Sequence, residues 1–222
     1  MHTIAFVTQK GGAGKTTLAA SLAVAAAQSG EKVIALDLDP QGSLAAWGER
    51  RAGNERLTVE RLPPERVGQL EAILSALARQ GFTLALVDTA GVDNANVHVA
   101  IQAADLCLMP ARPSRLDIEA TRTTFRAVVR MGRRLAFVLN QCPPLPKSSR
   151  SLEAAAGLRM LGVLADPLMS TRADFQDAIA AGLGATEYAP DGKAAQEIVA
   201  LWRWVQQQLR GNEHVTQAAI GH

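Results

Sequence analysis

The chain has 222 residues, 48% of them hydrophobic, which is enough for one well-filled core and rather short for two. Its formal net charge is only +2, and Cys107 and Cys142 stand far apart without a Cys/His cluster, which excludes a disulfide framework and a structural zinc site. The longest nearly apolar stretch, residues 18–27, is about half a membrane span. We therefore expect a cytoplasmic protein with a single domain over residues 1–210 and a flexible tail over residues 211–222.

Short aliphatic or β-branched runs alternate along the chain with longer stretches of helical character. Seven runs are predicted to be strands: residues 3–8, 32–38, 57–62, 84–88, 106–110, 135–140 and 162–167. Several are apolar nearly throughout, as is typical of strands that helices cover on both faces. The alternation predicts an α/β fold, a doubly wound and mostly parallel sheet with helices on both faces.

Polar side chains lie where these predicted strands end. They are Gln9, Lys10, Asp37, Asp39, Asp88, Asn140 and Asp166. In open α/β sheets ligands bind beyond the carboxyl ends of the strands, so one shared site at this edge accounts for all of them.

The first predicted strand leads into the string KGGAGKTT, residues 10–17. Glycines let backbone N–H groups approach a polyphosphate, and a helix that begins near Lys15 presents its positive end to the anion. Lys15 should reach the β- and γ-phosphates and Thr16 should offer its hydroxyl to Mg²⁺. We assign nucleotide binding to the whole string: Lys10, Gly11, Gly12, Ala13, Gly14, Lys15, Thr16 and Thr17.

Two features depart from the usual phosphate-loop pattern, G-x-x-x-x-G-K-[ST]: Gln9 replaces the first glycine, and Lys10 is an extra lysine. With these features the string resembles the deviant Walker A motif of the ParA/MinD family of partition ATPases. The resemblance implies a P-loop NTPase fold and a catalytic role for both lysines. It implies that Lys15 serves its own nucleotide, whereas Lys10 crosses a dimer interface to the phosphates of the other subunit.

Two carboxylate segments follow. Residues 33–43 resemble the family's D-x-D-P-Q-G segment, which implies that Asp39 orients or activates the attacking water and contacts the Mg²⁺ shell while Asp37 supports it; an Asp-capped turn is the alternative for Asp39. LALVDTAG, residues 84–91, resembles a Walker B strand that delivers Asp88 to the water shell of the metal. The family commonly has proline after this D-T pair, so Ala90 and Gly91 leave the conformation of the next loop open.

The sixth run ends in Asn140-Gln141-Cys142-Pro143 and lacks the N-K-x-D of common GTPases, which favours ATP over GTP. The family resemblance implies that Asn140 hydrogen-bonds adenine and that the loop around Asp166 and Pro167 closes over the base. A strand-end cap is the alternative for Asn140.

Residues 112–159 contain ten basic and three acidic residues, so a polyanionic partner is plausible. A helix predicted over residues 115–134 places four arginines in a band of about 80° beside an apolar face of Ile118, Phe125 and Val129. These arginines are Arg122, Arg126, Arg130 and Arg133. The band could follow a DNA backbone or be a solvated surface. The family resemblance instead favours a second set as the DNA contacts: Lys147, Arg150, Arg172 and Lys193.

The resemblance implies an ATPase that needs Mg²⁺, forms a homodimer on ATP and binds double-stranded DNA non-specifically, which would place it on the nucleoid. A ParB-like or other adaptor protein would stimulate its weak hydrolysis, and the cycle would position a plasmid, chromosome region or other cargo. One alternative is a metabolic P-loop ligase of the dethiobiotin synthetase or cobyrinic acid synthase type, which Lys10 disfavours. Another is a MinD-like membrane ATPase, which residues 213–222 disfavour because they lack a basic amphipathic face.

Overall fold

Seven parallel strands form one sheet in the computed structural model, which describes residues 1–51, 55–92, 94–145 and 148–220, the last nine as helix backbone only. The strands are β1 (His2–Phe6), β2 (Val33–Asp37), β3 (Leu57–Arg61), β4 (Leu84–Asp88), β5 (Leu106–Ala111), β6 (Leu135–Leu139) and β7 (Val163–Leu164). Their order across the sheet is β3-β2-β4-β1-β5-β6-β7. Each of the seven predicted runs overlaps one of these strands, so the expected α/β sheet is confirmed.

Helices connect the strands and cover both faces of the sheet. They are α1 (Lys15–Gln28), α2 (Ser43–Glu49), α3 (Leu70–Arg79), α4 (Ala95–Ala103), α5 (Arg115–Arg130), α6 (Ser149–Leu161), α7 (Ala173–Ala180), α8 (Ala185–Tyr188) and α9 (Lys193–Ile220). A 3-10 helix, Pro64–Gln69, leads into α3.

The side-chain alternation of a strand divides the core into two layers. In β1, Ile4 and Phe6 pack with residues of α1 and α9, whereas Ala5 belongs to the layer that contains α3, α4 and α6. Because successive side chains of a strand point to opposite faces, a run that is apolar throughout requires both layers. The burial of all five residues of β2 and of β4 agrees with this arrangement.

The strand register brings the ends of the central strands together. Asp88 at the end of β4 pairs with Phe6 of β1 on one side and with Asp37 of β2 on the other. The loops that follow β1, β2 and β4 therefore leave the sheet side by side at its carboxyl edge.

Helix α5 is shorter than its sequence pattern predicts. It ends at Arg130, and Gly132 adopts a left-handed φ of 64°, a conformation that glycine reaches at little cost and that turns the chain towards β6. Arg133 is therefore outside the helix, and the expected four-arginine band reduces to three residues. Val129 is also placed wrongly by the prediction, because 55% of it is exposed and Val128 is the buried residue.

Helix α9 continues to Ile220 and so extends into the segment 211–222, whose flexibility stays a prediction. Within the described part of the chain, no helix combines the length and the apolar character that crossing a membrane requires.

Candidate functional site

The loop between β1 and α1 has the backbone shape of an anion site. Gly12 and Gly14 have left-handed φ values of 75° and 91°, and Gly14 is the N-cap residue of α1. No side chain caps this helix end, and its first turn contains no acidic residue. The N–H groups of the first turn are thus available to an anion, and the helix dipole favours negative charge there.

Lys15 brings an ammonium group into this loop from the first residue of α1. The side chain is buried, and its Nζ atom donates a long hydrogen bond of 3.5 Å to the carbonyl oxygen of Thr8. Burial lowers the pKa of Lys15, while the carboxylates of Asp88 and Asp39 act in the opposite direction. A phosphate oxygen would therefore meet a cation that has little competing solvation.

Asp88 and Thr16 are joined at the floor of the site. The Thr16 hydroxyl donates a 2.6 Å hydrogen bond to Oδ2 of Asp88, which is fully buried. The other carboxylate oxygen of Asp88, Oδ1, has no hydrogen-bond partner among the described residues. Burial raises the pKa of Asp88 to about 7, although the Thr16 hydrogen bond and the Lys15 ammonium both lower it.

A buried carboxylate with one oxygen that has no hydrogen-bond partner among the described residues, next to a hydroxyl, fits a magnesium ion. Among the described residues there is no cluster of three or more His, Cys, Asp or Glu side chains that could hold a metal. Mg²⁺ does not need such a cluster, because it keeps several waters and is usually held by one or two carboxylates together with substrate phosphates. Thr16 and Asp88 are the residues here that would hold it, directly or through its waters.

The two aspartates after β2 occupy different positions. Asp37 is fully buried, and its two carboxylate oxygens each accept a 2.9 Å hydrogen bond, one from the N–H of Asp39 and one from the N–H of Ala45. Burial raises the pKa of Asp37, and these N–H groups partly oppose the rise. Asp37 therefore shapes the turn and the start of α2, and it does not line the cleft in which nucleotide binding was expected.

Asp39 lines an open cleft of about 850 Å³ at the carboxyl edge of the sheet. Its Oδ1 atom accepts a 2.9 Å hydrogen bond from the N–H of Gln41, and the residue is half-buried. Gly11, Gly12, Gly14, Lys15, Thr16 and Thr17 line the same cleft. The structure thus brings a carboxylate, an ammonium and a hydroxyl to one cavity, as expected from the sequence.

Lys10 is placed differently from Lys15. It is half-buried, follows β1 in the chain, and is not among the residues that line the cleft of its own chain.

Gly91 belongs to the loop after Asp88 and lies very close to the phosphate loop. A Cβ atom at this position would lie 3.3 Å from the N atom of Gly11 and 3.4 Å from Nζ of Lys15. The absence of a side chain lets this loop approach the phosphate loop closely. Sequence reasoning missed this contact, although a glycine three residues after the Walker B aspartate was a visible signal.

A second cavity of about 120 Å³ adjoins Gly14 and Thr17 on the side of β6, and we call it the base-side cavity because Asn140, the residue expected to contact the base, lines it. Asn140 and Gln141 line it, as do residues 170–172 and the start of α7. Pro167, expected to close over a base, is not part of this lining; the wall is formed by residues three to five positions later.

Glu197 of α9 organises that wall, and sequence reasoning missed it. Its carboxylate accepts hydrogen bonds of 2.9 Å from both the N–H and the hydroxyl of Ser170, and Arg172 forms an ion pair with it at 2.6 Å. The only signal in the sequence was an acidic residue within an otherwise apolar stretch of α9. Because Glu197 compensates the charge of Arg172, Arg172 is a weak candidate for the DNA contact that was expected of it.

The remaining expected DNA contacts are scattered. Arg150 at the start of α6 and Lys193 at the start of α9 are both exposed. Lys147 lies outside the described residues.

Comparisons with known proteins agree with this geometry. The family model described as the CobQ/CobB/MinD/ParA nucleotide binding domain matches residues 4–201. The "Maintenance of carboxysome distribution protein A" of Gloeobacter kilaueensis is 32% identical over 209 residues, which is 93% of each chain. Protein virC1 of Rhizobium rhizogenes is 32% identical over 176 residues, or 76% of each chain. The septum site-determining protein MinD of Pyrococcus horikoshii, solved with Mg-ADP, superposes with a TM-score of 0.77 at 19% identity and covers 94% of this chain and 97% of its own.

Proposed function

The chain belongs to the CobQ/CobB/MinD/ParA family of nucleotide-binding domains, and from the site that it carries we propose that it is a partition-type ATPase. In this proposal ATP and Mg²⁺ close a homodimer, and the dimer binds double-stranded DNA of any sequence. An adaptor protein of the ParB kind, or another adaptor, stimulates hydrolysis and releases the dimer. The cycle positions a cargo, such as a plasmid, on the nucleoid.

The position of Lys10 carries the proposal. It follows β1 at the carboxyl edge of the sheet and does not line the cleft that its own Lys15 lines. In the proposed dimer a second copy faces this edge. A lysine in this position can reach the phosphates of a facing subunit. In a dry interface its charge would stabilise them far more than in water, because the local dielectric constant is low.

The chemistry of hydrolysis follows from the residues that line the cleft. The N–H groups of the loop and the Lys15 ammonium hold the β- and γ-phosphates and offset the charge that develops on them. Asp39, half-buried at the mouth of the cleft, accepts a hydrogen bond from the attacking water and orients it in line with the γ-phosphate. Mg²⁺, when bound beside Thr16 and Asp88, neutralises charge on the phosphate oxygens.

The relatives support a positioning role more than a metabolic one. Their printed names concern carboxysome distribution and chromosome partitioning, and one solved neighbour is a MinD in complex with MinC. The family description also includes CobQ and CobB, which keeps a ligase as the rival to be tested. A ligase needs a small-molecule acceptor and no affinity for DNA.

Binding to random-sequence duplex DNA across a salt series tests the proposal, with ATP and Mg²⁺, with ADP, and without nucleotide. We expect binding only with ATP, and a steep decrease in affinity as salt rises. Absence of binding in every state would overturn the DNA role and redirect the search to small molecules or lipids.

Lys10→Ala tests the dimer separately. The variant should bind ATP as a monomer but lose ATP-dependent dimerisation and stimulated hydrolysis, measured by sedimentation and by phosphate release. Lys32→Ala, which removes a lysine just before β2 at the opposite edge of the sheet, is the matched control and should dimerise normally. Full activity of Lys10→Ala would remove Lys10 from the mechanism.

A further inference from the structure

Three arginines form a row on the outer surface of α5: Arg122, Arg126 and Arg130, all exposed. They are four residues apart, so neighbours are separated by about 6 Å along the helix axis and the whole row spans about 12 Å. Each step of four residues turns the side chain by only about 40°, which keeps all three on one side of the helix.

No described residue compensates the positive charge of the arginine row by an ion pair. The two ion pairs that the structure describes at the start of α5 join Arg115 to Glu119 and Arg112 to Asp117. No carboxylate of the described residues comes within 4 Å of a guanidinium group of the row. Buried arginines elsewhere do have partners, as Arg51 has in Glu187 at 2.8 Å.

The opposite side of α5 fixes the helix to the core. Thr121, Thr124 and Val128 are buried, and the ring of Phe125 stacks on Phe137 with the ring centroids 5.8 Å apart. Ser114 caps the N-terminus by accepting a hydrogen bond from the N–H of Asp117. The row is therefore presented on a rigid element, which reduces the entropy lost when a ligand orders it.

The location of the row suits a surface that stays accessible in the dimer. Helix α5 begins after β5 at the carboxyl edge and runs towards the amino edge, so Arg122 to Arg130 lead away from the nucleotide site. In the dimer proposed above, which closes through Lys10 at the carboxyl edge, one such row would stay uncovered on each protomer.

From these observations, and resting on the function proposed above, we propose that the arginine row on α5 is the surface that binds the phosphate backbone of duplex DNA. A duplex has one negative charge per about 1.7 Å of its axis with both strands counted, so a 12 Å length carries about seven phosphates, more than enough for three arginines to contact from one side. Guanidinium groups suit phosphate oxygens because their donors can bind two oxygens at once. Such contacts position the protein on DNA without reading sequence, and the inward-facing Phe125 offers no base-stacking surface.

Dimerisation then explains why ATP would control binding. One row of three cations binds DNA weakly, whereas two rows held in one dimer engage the same duplex at a high effective concentration. Each phosphate contact contributes about −0.9 to the slope of log affinity against log salt, so a dimer that uses both rows should show a slope near −5, whereas contacts by a single row would give a slope near −3.

The test compares Arg122→Gln, Arg126→Gln and Arg130→Gln, combined in one chain, with wild type and with an Arg150→Gln, Lys193→Gln double variant. All are assayed with ATP and Mg²⁺ for duplex affinity across salt, for dimerisation and for basal hydrolysis. We expect the triple variant to lose at least 100-fold in affinity at low salt, with a shallower salt slope, while dimerisation and basal hydrolysis remain at wild-type levels. The double variant should change affinity by less than a factor of about three, as expected of positions outside the interface.

The outcomes distinguish a failure of the arginine-row proposal from a failure of the proposed function on which it rests. If wild type binds DNA and the triple variant binds equally well, the row is not the DNA surface, although the proposed function stands. If wild type does not bind duplex DNA in any nucleotide state, the proposed function fails first. Loss of binding to vesicles with anionic lipids, together with unchanged DNA binding, would assign the row to a membrane and overturn the inference. The single variant Arg126→Gln, expected to reduce affinity about fivefold, provides the same test should the triple variant fold poorly.

Discussion

The side-chain amide of Asn140, at the end of β6, donates a 2.9 Å hydrogen bond to the carbonyl oxygen of Ala13, 127 residues earlier in the phosphate loop. Gln141, which has a left-handed φ of 55°, donates a similar bond to the carbonyl oxygen of Gly12. In a trans peptide the C=O and the following N–H point in opposite directions. Holding these carbonyl groups towards β6 therefore turns the next N–H groups towards the phosphate side.

Asn140→Ala should therefore weaken phosphate binding as well as recognition of the base. We expect about a tenfold loss of affinity for tripolyphosphate, which has no base, because the buried carbonyl of Ala13 loses its partner. Isothermal titration with ATP and with tripolyphosphate measures both effects. Gln176→Ala, which changes another residue of the base-side cavity, is the control and should leave tripolyphosphate binding intact. A variant that loses only ATP affinity would limit Asn140 to the base.

Asp39→Ala and Asp37→Asn should affect different properties of the protein, hydrolysis in the first case and stability in the second. Asp39 lines the cleft, so its loss should preserve ATP binding, abolish hydrolysis and trap the ATP-bound dimer. Asp37 accepts two backbone N–H groups, so its replacement should lower the free energy of unfolding by about 1–3 kcal/mol. Phosphate release and chemical denaturation distinguish the two. Unchanged hydrolysis in Asp39→Ala would show that its carboxylate is not catalytic.

The stability of the nucleotide-free protein should fall as pH rises from about 4 to about 7. Burial raises the pKa of Asp88 to about 7 from 3.8, so in this interval the folded protein holds a proton that the unfolded chain releases. The free energy of unfolding thus decreases through the interval, by an amount on the order of a few kcal/mol, and levels off above pH 7. Asp88→Asn is neutral at this position throughout and should show a smaller decrease, because the pKa of Asp37 is also raised by burial and keeps its own contribution. Identical pH profiles for the two proteins, measured by denaturant titration, would contradict the prediction.

Glu197→Gln should disturb the base-side cavity without affecting phosphate binding. The carboxylate holds Ser170 and neutralises Arg172, so its loss should lower the free energy of unfolding by about 2 kcal/mol. It should also reduce the preference for ATP over GTP and leave tripolyphosphate affinity unchanged. Competition binding measures this preference.

Glu187→Gln is the control for that experiment. It removes the carboxylate of another largely buried ion pair, with Arg51, and neither of these residues lines the base-side cavity. This variant should lose stability and retain its nucleotide preference. Equal changes of preference in both variants would show that the effect of Glu197 is only a general loss of stability.

The sequence by itself determined the strands and the phosphate loop, because both depend on local features. A short aliphatic or β-branched run of five or six residues favours a strand covered on both faces, and β2 and β4 match such runs closely. The phosphate loop could be predicted because its glycines and Lys15 are close together in the sequence. Their spacing therefore does not depend on how the rest of the chain packs. The end of α5 was also visible in principle, because Gly132 is a helix stop signal.

Only the tertiary structure decided which partner each polar side chain has. Asn140 contacts Ala13 and Arg172 contacts Glu197 because the strand order places β6 beside the phosphate loop and α9 beneath the base-side wall. Hydrogen bonds and ion pairs depend on positions fixed to within a fraction of an ångström, and residues far apart in the sequence reach those positions only through the packing of the whole sheet. The charge of an arginine is therefore present in the sequence, but whether it remains uncompensated at the surface, as in the row on α5, is decided by the fold.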